Sequence, residues 1–334
     1  MNRHKCLYLE KLTMSKIPLS ELNSELLNKD FVLFLGLGFD QRSLCALQNI
    51  EPSTPQKTIG LLNPPRPGTP QTNYGEDFTS SAGPNSEILG AESKSLIETI
   101  DLIQEKLEEP EIKGKEIVVD ITSLSHEMLV AFMGLLQSKN LLKGTTLLYT
   151  GADDYSFNTP KDQKWLSHGV VDIRSILGFP GTMLPSKKLH LIVMVGFETE
   201  RATEVINRYE PSRLTIAYGA KDHSVSEEHH LTNIGFANNI LNSFLENSRS
   251  VDSSQNLEFS CTDPFFTKSS LENYITQFPN ENIVICPLNT KISTVGAALA
   301  ALEMPDIQIC YAQPAEYNIA GYASPGKEIT IIKL

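Results

Sequence analysis

Several kinds of sequence feature are missing from this chain of 334 residues. No run of 18 apolar residues occurs, so no membrane-spanning helix is predicted. The five cysteines form no Cys-x-x-Cys pair and no zinc-finger spacing. Basic residues are few, with 28 Lys and Arg against 40 Asp and Glu and a net charge of −12. This charge argues against broad contact with nucleic acid or an anionic membrane, because both would be repelled at long range.

The amino terminus also lacks the apolar region of a signal peptide. Several cysteines lie inside apolar stretches, as reduced core residues do, and we therefore expect a cytoplasmic protein. Met14 would make a natural start, so residues 1–13 are expected to be an extension.

The composition is that of an ordinary globular protein, 40% hydrophobic and 20% charged, and the length favours two domains. Apolar stretches alternate with helical patterns in both halves, which predicts parallel sheets covered by helices. The predicted strands are 31–37, 57–62, 115–121, 145–150, 189–195, 213–218, 282–287 and 306–312. The predicted helices are about 42–50, 92–108, 125–139, 198–208, 226–247, 268–277 and 292–303.

The two halves of the chain resemble each other at three places, in the same order. An apolar strand runs into Gly-Phe-acid and a nearby Arg at 33–42 and again at 191–201. A second strand leads into a polar turn and a small-residue helix at 117–136 and 283–302. Two tyrosines spaced six apart, Tyr149 and Tyr155, recur 162 positions later as Tyr311 and Tyr317. These blocks predict an internal duplication; the alternative is that any two α/β lobes share strand-glycine-helix junctions.

The predicted fold is therefore α/β, with two tandem, doubly wound Rossmann-like lobes related by internal duplication. The expected domains are an N-terminal extension and helix at 1–30, lobe 1 at 31–156, a linker rich in proline and glycine at 157–186, and lobe 2 at 187–334. A proline-rich stretch at 63–86 is expected to be a long loop, mobile or lying across the mouth of a pocket.

The turn after the first strand of lobe 1 is the first candidate site, because ligands of open parallel sheets bind beyond the carboxyl ends of the strands. It reads Gly36-Leu37-Gly38-Phe39-Asp40-Gln41-Arg42. The glycines would let the backbone approach a ligand at a helix N-terminus. Gln41 stands where a dinucleotide-binding turn has its third glycine, so a dinucleotide is not favoured. The alternative is a tight turn in which Asp40 caps a helix and Arg42 forms a local ion pair.

Two later turns, at 120–127 and 287–294, offer hydroxyl, amide and backbone N–H groups at the start of a helix. Such groups suit a phosphate or a ribose, with Lys291 as the point charge. The same residues also form ordinary helix caps, with Thr122 or Ser123 as the capping residue in lobe 1. Both interpretations stay open.

The histidines are further candidates. His126 is either a general base near neutral pH or a solvated residue in the first turn of a helix, and the sequence pairs no nucleophile with it. His223, His229 and His230 lack the spacing of a metal site, so a surface helix start is predicted there and no bound metal.

The order of strand, glycine-rich turn and helix, with a later strand that runs into Leu288-Asn289-Thr290-Lys291, resembles the CRISPR-associated Rossmann-fold (CARF) sensor domains. The Thr-Lys pair is typical of that family, and Asp120-Ile121-Thr122-Ser123 keeps Asp-x-Thr. The resemblance implies that both lobes present their turns to a shared cleft, which binds a cyclic oligonucleotide or similar nucleotide signal in antiviral defence. CARF proteins usually have an effector domain, which two lobes leave no room for here. A stand-alone sensor, a ring-nuclease-like enzyme and a subunit with a separate effector protein therefore stay open.

The turn from Gly36 to Arg42 also resembles the Gly-x-Gly-x-Asp-x-Arg turn of the leucine carboxyl methyltransferase group, where it lies against S-adenosylmethionine. This second resemblance implies methyl transfer as an alternative function. The acid expected after the second strand is missing, and the turn at Gly196 lacks the first glycine. A structural subunit of a larger complex is a further alternative.

We predict that a nucleotide ligand binds between the lobes, with no resident cofactor and no assigned catalytic residue. The aromatic residue of each Gly-Phe-acid block would stack on a base, the arginine would hold a phosphate, and the acid would orient a ribose hydroxyl or the arginine. The predicted partners are this ligand and a separate effector protein, and an oligomer stays open. The predicted ligand-binding residues are Gly38, Phe39, Asp40, Arg42, Thr122, Ser123, Ser125, Gly196, Phe197, Glu198, Arg201, Asn289, Thr290 and Lys291.

Overall fold

Strands and helices alternate along the chain in a computed structural model that describes residues 12–63, 74–156, 164–247, 252–254 and 257–334. The strands are β1 Thr13–Pro18, β2 Phe31–Gly36, β3 Lys57–Leu61, β4 Ser86–Leu89, β5 Glu116–Asp120, β6 Thr146–Tyr155, β7 Ser167–Pro180, β8 Lys188–Met194, β9 Arg213–Gly219, β10 Asp252–Ser254, β11 Glu258–Phe259, β12 Glu281–Pro287, β13 Gln308–Tyr317 and β14 Ala323–Lys333. The helices are α1 Leu22–Leu26, α2 Gly75–Ala82, α3 Leu96–Glu108, α4 His126–Ser138, α5 Thr199–Tyr209, α6 Glu227–Asn247, α7 Pro264–Ile275 and α8 Lys291–Glu303.

The first sheet has seven strands in the order β1-β14-β6-β5-β2-β3-β4. The strands β6, β5, β2, β3 and β4 run parallel, and β14 and β1 extend the sheet by antiparallel pairing. The central strand β2 has the sequence FVLFLG and is buried along its full length. A continuous apolar run of this kind is typical of a parallel strand covered on both faces.

The second sheet has the order β10-β9-β8-β12-β13-β7, with β11 beside β9. All its strands run parallel except β7, which pairs antiparallel with β13. In lobe 1, β3 and β5 lie on opposite sides of β2, and in lobe 2, β9 and β12 lie on opposite sides of β8, as in Rossmann-like folds. The chain is therefore an α/β protein with two mixed, mostly parallel sheets. Each sheet and its helices are called lobe 1 and lobe 2 below.

Each sheet contains one strand from the other half of the chain. β7 follows β6 but pairs with β13, and β14 follows β13 but pairs with β6. The range 157–186, predicted as a linker, thus includes a 14-residue strand of lobe 2, and the end of predicted lobe 2 belongs to lobe 1. The sequence did not predict β7 as a strand, because its glycine and proline residues resemble those of a linker and its partner, β13, is far along the chain. Residues 1–11 of the predicted extension lie outside the described residues, and β1 pairs with β14.

The two lobes pack through α4 and α8. Phe132 and Met133 of α4 and Val295 and Ala298 of α8 belong to one cluster of buried residues that spans both lobes. Separate clusters fill the other face of each sheet. Because α4 follows β5 and α8 follows β12, this packing brings the starts of the two helices, and the turns before them, to the contact between the lobes.

The helix predicted over 42–50 is wrong, because the segment forms turns and one short 3-10 helix at Leu47–Asn49. The carboxylate of Asp40 accepts a hydrogen bond from the backbone N–H of Arg42 at 2.9 Å. The hydroxyl of Ser43 donates to the carbonyl oxygen of Asp40 at 2.6 Å. Side chain to backbone bonds of this kind compete with the hydrogen bonds of a helix.

The remaining expectations concern the long loop, the cysteines and the membrane. Residues 64–73 of the loop lie outside the described residues, and α2 follows. Three cysteines, Cys261, Cys286 and Cys310, are buried and free, and Cys45 is half-buried. In the part of the chain that the structure describes, no helix is both long and apolar enough to cross a bilayer.

Candidate functional site

The four predicted turns come together at the contact between the lobes. The turns after β2 and β5 are neighbours in lobe 1, since Leu35 pairs with Asp120. The turns after β8 and β12 are neighbours in lobe 2, since Met194 pairs with Pro287. A small cavity between the lobes is lined by residues of both. The carboxyl ends of the central strands therefore lie where open parallel sheets bind their ligands.

Arg42 lies in a buried network that fixes the end of β6. Its Nη2 donates to Oδ2 of Asp40 at 2.7 Å, and its Nε donates to the same carboxylate. Its Nη1 donates to the carbonyl oxygen of Thr150 at 3.1 Å and to the hydroxyl of Tyr149 at 3.3 Å. Burial disfavours the charge, but Asp40 and the nearby tyrosines outweigh it, so the pKa of Arg42 lies well above its ordinary value. This geometry is the local ion pair of the alternative interpretation.

Arg201 makes the same kind of network in lobe 2. Its Nη1 donates to Oε2 of Glu198 at 2.5 Å, and its Nε donates to the carbonyl oxygen of Ala312 at 3.1 Å. Ala312 follows Thr150 by 162 positions, the offset that also separates the paired tyrosines. Burial lowers the pKa of Arg201, but Glu198 together with nearby Tyr311 and Tyr317 outweighs burial, so this pKa lies above its ordinary value. Both arginines thus hold a neighbouring strand, which leaves their donors occupied by protein rather than by a phosphate.

Phe39 and Phe197, predicted to stack on a base, pack against tyrosines across the lobe contact. The ring centroid of Phe39 lies 4.9 Å from that of Tyr317 and 5.1 Å from that of Tyr322. The ring centroid of Phe197 lies 6.4 Å from that of Tyr155, edge to face. Each phenylalanine therefore contacts the second tyrosine of the opposite Tyr-x5-Tyr block. Aromatic pairs in this geometry stabilise an interface beyond their buried area.

Gly38 and Gly196 each let the turn that contains them pack closely against the neighbouring turn of the same lobe. The sequence had predicted instead that the glycines make room for a ligand. A Cβ atom on Gly38 would lie 3.1 Å from the carbonyl oxygen of Ser123. A Cβ atom on Gly196 would lie 1.9 Å from the carbonyl oxygen of Leu288. In both lobes the neighbouring turn fills the space beside the glycine.

Asp120 organises the turn after β5. Its Oδ1 accepts hydrogen bonds from the backbone N–H of Thr122 at 3.0 Å and from the Thr122 hydroxyl at 2.5 Å. The Thr122 hydroxyl oxygen in turn accepts from the backbone N–H of Thr150 at 2.9 Å, and Ser123 donates to the carbonyl oxygen of Gly36 at 2.5 Å. Burial raises the pKa of Asp120 from 3.8 to about 6. Thr122 and Ser123 therefore belong to the scaffold of the site.

The caps of α4 and α8 are Ser125 and Thr290. The Ser125 hydroxyl oxygen accepts from the backbone N–H of Met128 at 3.1 Å, and that of Thr290 accepts from Ser293 at 3.2 Å. The sequence predicted Thr122 or Ser123 as the cap of α4, which is wrong because the Thr122 hydroxyl bonds to Asp120 and Thr150, and the Ser123 hydroxyl bonds to Gly36. Asn289 donates through Nδ2 to the carbonyl oxygen of Val195 at 2.6 Å and so joins the turns of lobe 2.

Lys291 is the first residue of α8 and lines the cavity between the lobes. Within the described ranges, its ammonium group has no hydrogen bond or ion pair. Burial lowers the pKa of Lys291 to about 8, and the positive charge of Arg42 adds to this effect. Arg42 and Arg201 each form an ion pair with a carboxylate, whereas Lys291 forms none among the described residues.

The cavity has a volume of about 40 Å³, which is room for a few water molecules. Lobe 1 and lobe 2 both contribute to its wall, which combines aromatic rings with polar groups at helix starts. Its lining residues are Arg42, His126, Tyr149, Tyr155, Leu166, Gly196, Phe197, His229, Leu288, Asn289, Thr290, Lys291 and Tyr322.

His126 is the first residue of α4 and faces this cavity. Its Nδ1 lies 2.7 Å from the hydroxyl oxygen of Thr294 in α8, so the side chain bridges the two lobes. Burial lowers the pKa of His126 well below its ordinary value, and nearby Lys291 lowers it further. His126 is therefore a half-buried, neutral residue of the first turn of α4 that also contacts the other lobe, a contact that the sequence did not predict.

The three other histidines do not gather at one place. His229 lies 4.9 Å from the ring of Phe197 and lines the cavity, and burial lowers its pKa to about 4. His230 bonds through Nδ1 to the carbonyl oxygen of Gly219 at 2.9 Å, and His223 stacks on Phe266. The predicted surface helix start is present, since α6 begins at the exposed Glu227, but His229 and His230 themselves are buried. Among the residues described, no three possible metal ligands form a cluster.

Sequence reasoning missed several residues of the cavity wall. The hydroxyl oxygens of Tyr149 and Tyr155 lie 2.8 Å apart beside Arg42, and the ring of Tyr322 packs against that of Phe39. The repeated Tyr-x5-Tyr spacing was a usable signal for the first two, because it marks the same strand in both lobes. His229 had no such signal, because it lies in α6, which follows β9 and not one of the strands that carry the tyrosine pairs.

Comparison of the chain with protein-family models and with curated proteins finds no match. The CARF and methyltransferase resemblances therefore stay predictions.

Proposed function

We propose that this protein binds a small nucleotide-type anion at the contact between its lobes and acts as a sensor or binding subunit. Lys291 is the observation on which the proposal depends. Its ammonium group lines a cavity at the start of α8 and has no carboxylate partner among the described residues. Lys291 is half-buried, and the partial loss of water around its charge is costly unless an anion compensates it.

The charges around the cavity support a single anionic group. Arg42 is paired with Asp40, and Arg201 is paired with Glu198. Lys291 therefore remains as an uncompensated positive charge beside these two pairs. The N-terminus of α8 adds its own partial positive charge, since a 13-residue helix begins at Lys291.

The size and wall of the cavity favour one compact anionic group, such as a phosphate, with the rest of the ligand at the lobe contact. A volume of about 40 Å³ is far below the several hundred Å³ of a typical small-molecule pocket. A whole nucleotide therefore requires the lobes to move apart. Such a movement would couple binding to the arrangement of the lobes, which is what a sensor needs.

We also infer that the two lobes arose by internal duplication. Three observations support this inference: the same strand order, the offset of 162 positions, and the matching contacts of Arg42 with Thr150 and of Arg201 with Ala312. The exchange of β7 and β14 fits the same origin, because each follows the last parallel strand of its half and pairs with the last parallel strand of the other half. A separate effector protein remains the predicted partner.

Methyl transfer receives less support from the geometry. Cβ atoms on Gly36 and Gly38 would lie 2.7 Å and 3.1 Å from backbone atoms of the turn after β5, so protein fills the space beside this turn. Asp40 is also occupied by Arg42.

A thermal-shift screen tests the proposed function. We expect one class among mononucleotides and cyclic oligonucleotides to raise the melting temperature, and S-adenosylmethionine to leave it unchanged. The shift should be lost in Lys291→Met and kept in Lys221→Met, a control at an exposed lysine of the same lobe. Chromatography of the mixture then shows whether the ligand is recovered intact, as a sensor requires, or converted, as an enzyme would do. Equal shifts in wild type and Lys291→Met would contradict the proposal.

A further inference from the structure

The hydrogen bonds of Thr294 determine which ring nitrogen of His126 carries the proton. The Thr294 hydroxyl lies 3.1 Å from the carbonyl oxygen of Thr290, which can only accept, so a hydrogen bond between them uses the hydroxyl hydrogen. The same hydroxyl oxygen lies 2.7 Å from Nδ1 of His126. With its only hydrogen used, the hydroxyl accepts from Nδ1–H.

His126 therefore holds its proton on Nδ1, and Nε2 is left with a lone pair. A neutral imidazole has one donor and one acceptor nitrogen, so fixing one fixes the other. Among the described residues, no hydrogen bond to Nε2 is found, and the ring lines the cavity. The wall of the cavity thus offers a hydrogen-bond acceptor on the lobe 1 side.

The corresponding positions of the two lobes are chemically different. Ser125 and Thr290 are the caps of α4 and α8, and the residues that follow them are His126 and Lys291. Lobe 2 therefore presents a cation to the cavity where lobe 1 presents a neutral acceptor. A ligand with two identical halves would meet a matching partner on only one side.

We infer that His126 is a specificity-determining residue: its Nε2 accepts a hydrogen bond from a hydroxyl or N–H group that lies beside the one anionic group held by Lys291. The site then takes an asymmetric ligand with a single anionic group, such as a nucleoside monophosphate, and disfavours a two-fold symmetric cyclic dinucleotide. This inference rests on the proposed function, because it specifies the ligand class of the same cavity.

The tautomer is tested first, in the free protein. Long-range proton–nitrogen correlation spectra of the histidine rings, with His126 assigned by comparison with His126→Gln, should show the proton on Nδ1. Thr294→Ser keeps the hydroxyl and should keep this pattern, whereas Thr294→Val removes the acceptor and should give a mixture of tautomers. A proton on Nε2 in the wild-type protein would overturn the inference.

Ligand selection is tested by calorimetric titration with a nucleoside 5′-monophosphate and with a cyclic dinucleotide. We expect the monophosphate to bind more tightly, and His126→Leu, which removes the acceptor, to weaken it by about tenfold, the scale of one lost hydrogen bond. His168→Gln, at an exposed histidine of β7, is the control and should bind as the wild type does. Equal or tighter binding of the cyclic dinucleotide would overturn the inference.

The two proposals fail in different ways. Binding that depends on Lys291 but is unchanged in His126→Leu would overturn the present inference alone. Absence of any binding that depends on Lys291, with either nucleotide, would overturn the proposed function and this inference with it.

Discussion

Arg42 donates a hydrogen bond through Nη1 to the carbonyl oxygen of Thr150 at 3.1 Å, and this bond ties the turn after β2 to the end of β6. The same guanidinium group forms a buried ion pair with Asp40. The two interactions make Arg42 a structural residue of lobe 1, although it also lines the cavity.

The variant Arg42→Ala should therefore lose stability, because it leaves the Asp40 carboxylate buried without its partner. We expect the free energy of unfolding to fall by about 3–5 kcal/mol in urea titrations. Arg201→Ala should show a loss of similar size, because it leaves the Glu198 carboxylate buried without its partner. The exposed Arg208→Ala is the control and should change stability by less than about 0.5 kcal/mol. A loss below 1 kcal/mol in Arg42→Ala would be inconsistent with this role.

Gly196→Ala tests the close packing of the two turns in lobe 2. The new Cβ would lie 1.9 Å from the carbonyl oxygen of Leu288, so backbone must move to accommodate it. We expect a loss of about 3 kcal/mol or more in the free energy of unfolding. Gly235→Ala in α6 is the matched control, because no atom lies within 4 Å of its Cβ, and it should gain about 0.5–1 kcal/mol. Equal stability of the two variants would argue against close packing at Gly196.

The fold was largely predictable from local patterns, and the exceptions have physical causes. The central strands such as β2 and β12 are continuous apolar runs between polar turns, so these runs alone located the strands closely. The strands β7 and β14 were missed because their partners come from the other half of the chain. The helix expected after Asp40 does not form because the side chains of Asp40 and Ser43 bond to the local backbone instead.

The place of the site was predictable, but the roles of its residues were not. Turns that follow the central strands of parallel sheets must meet at one edge, which the sequence shows. The local pair of Arg42 with Asp40 was one of the two roles that the sequence left open. The bonds of Arg42 to Tyr149 and Thr150, more than 100 residues away, could not be read from the local sequence. The contact between His126 and Thr294 depends on how the lobes pack, and no local pattern records that.

Asp120 should make stability depend on pH. Burial raises its pKa from 3.8 to about 6, so between these values the native state binds more protons than the unfolded state. The free energy of unfolding should therefore fall as pH rises through this range. Asp120→Asn removes the charge and should be more stable than wild type at pH 8, by about 1–3 kcal/mol, and similar to it below pH 4.

Urea unfolding at pH 4, 6 and 8 measures this dependence. Asp101→Asn is the control, because Asp101 is exposed on α3 and its replacement should leave the pH profile parallel to that of the wild type. A profile of Asp120→Asn that also runs parallel to the wild type would show that Asp120 does not carry the predicted pH dependence.

The most direct test of ligand binding at Lys291 is calorimetric titration with a nucleoside 5′-monophosphate between pH 7 and pH 9. The pKa of Lys291 is lowered to about 8, so its ammonium group loses its proton within this range. We predict that wild-type affinity falls by about tenfold from pH 7 to pH 9, and that Lys291→Met binds weakly with no such fall. Lys221→Met should follow the wild type. Tight binding by Lys291→Met with the same pH profile as the wild type would contradict the account.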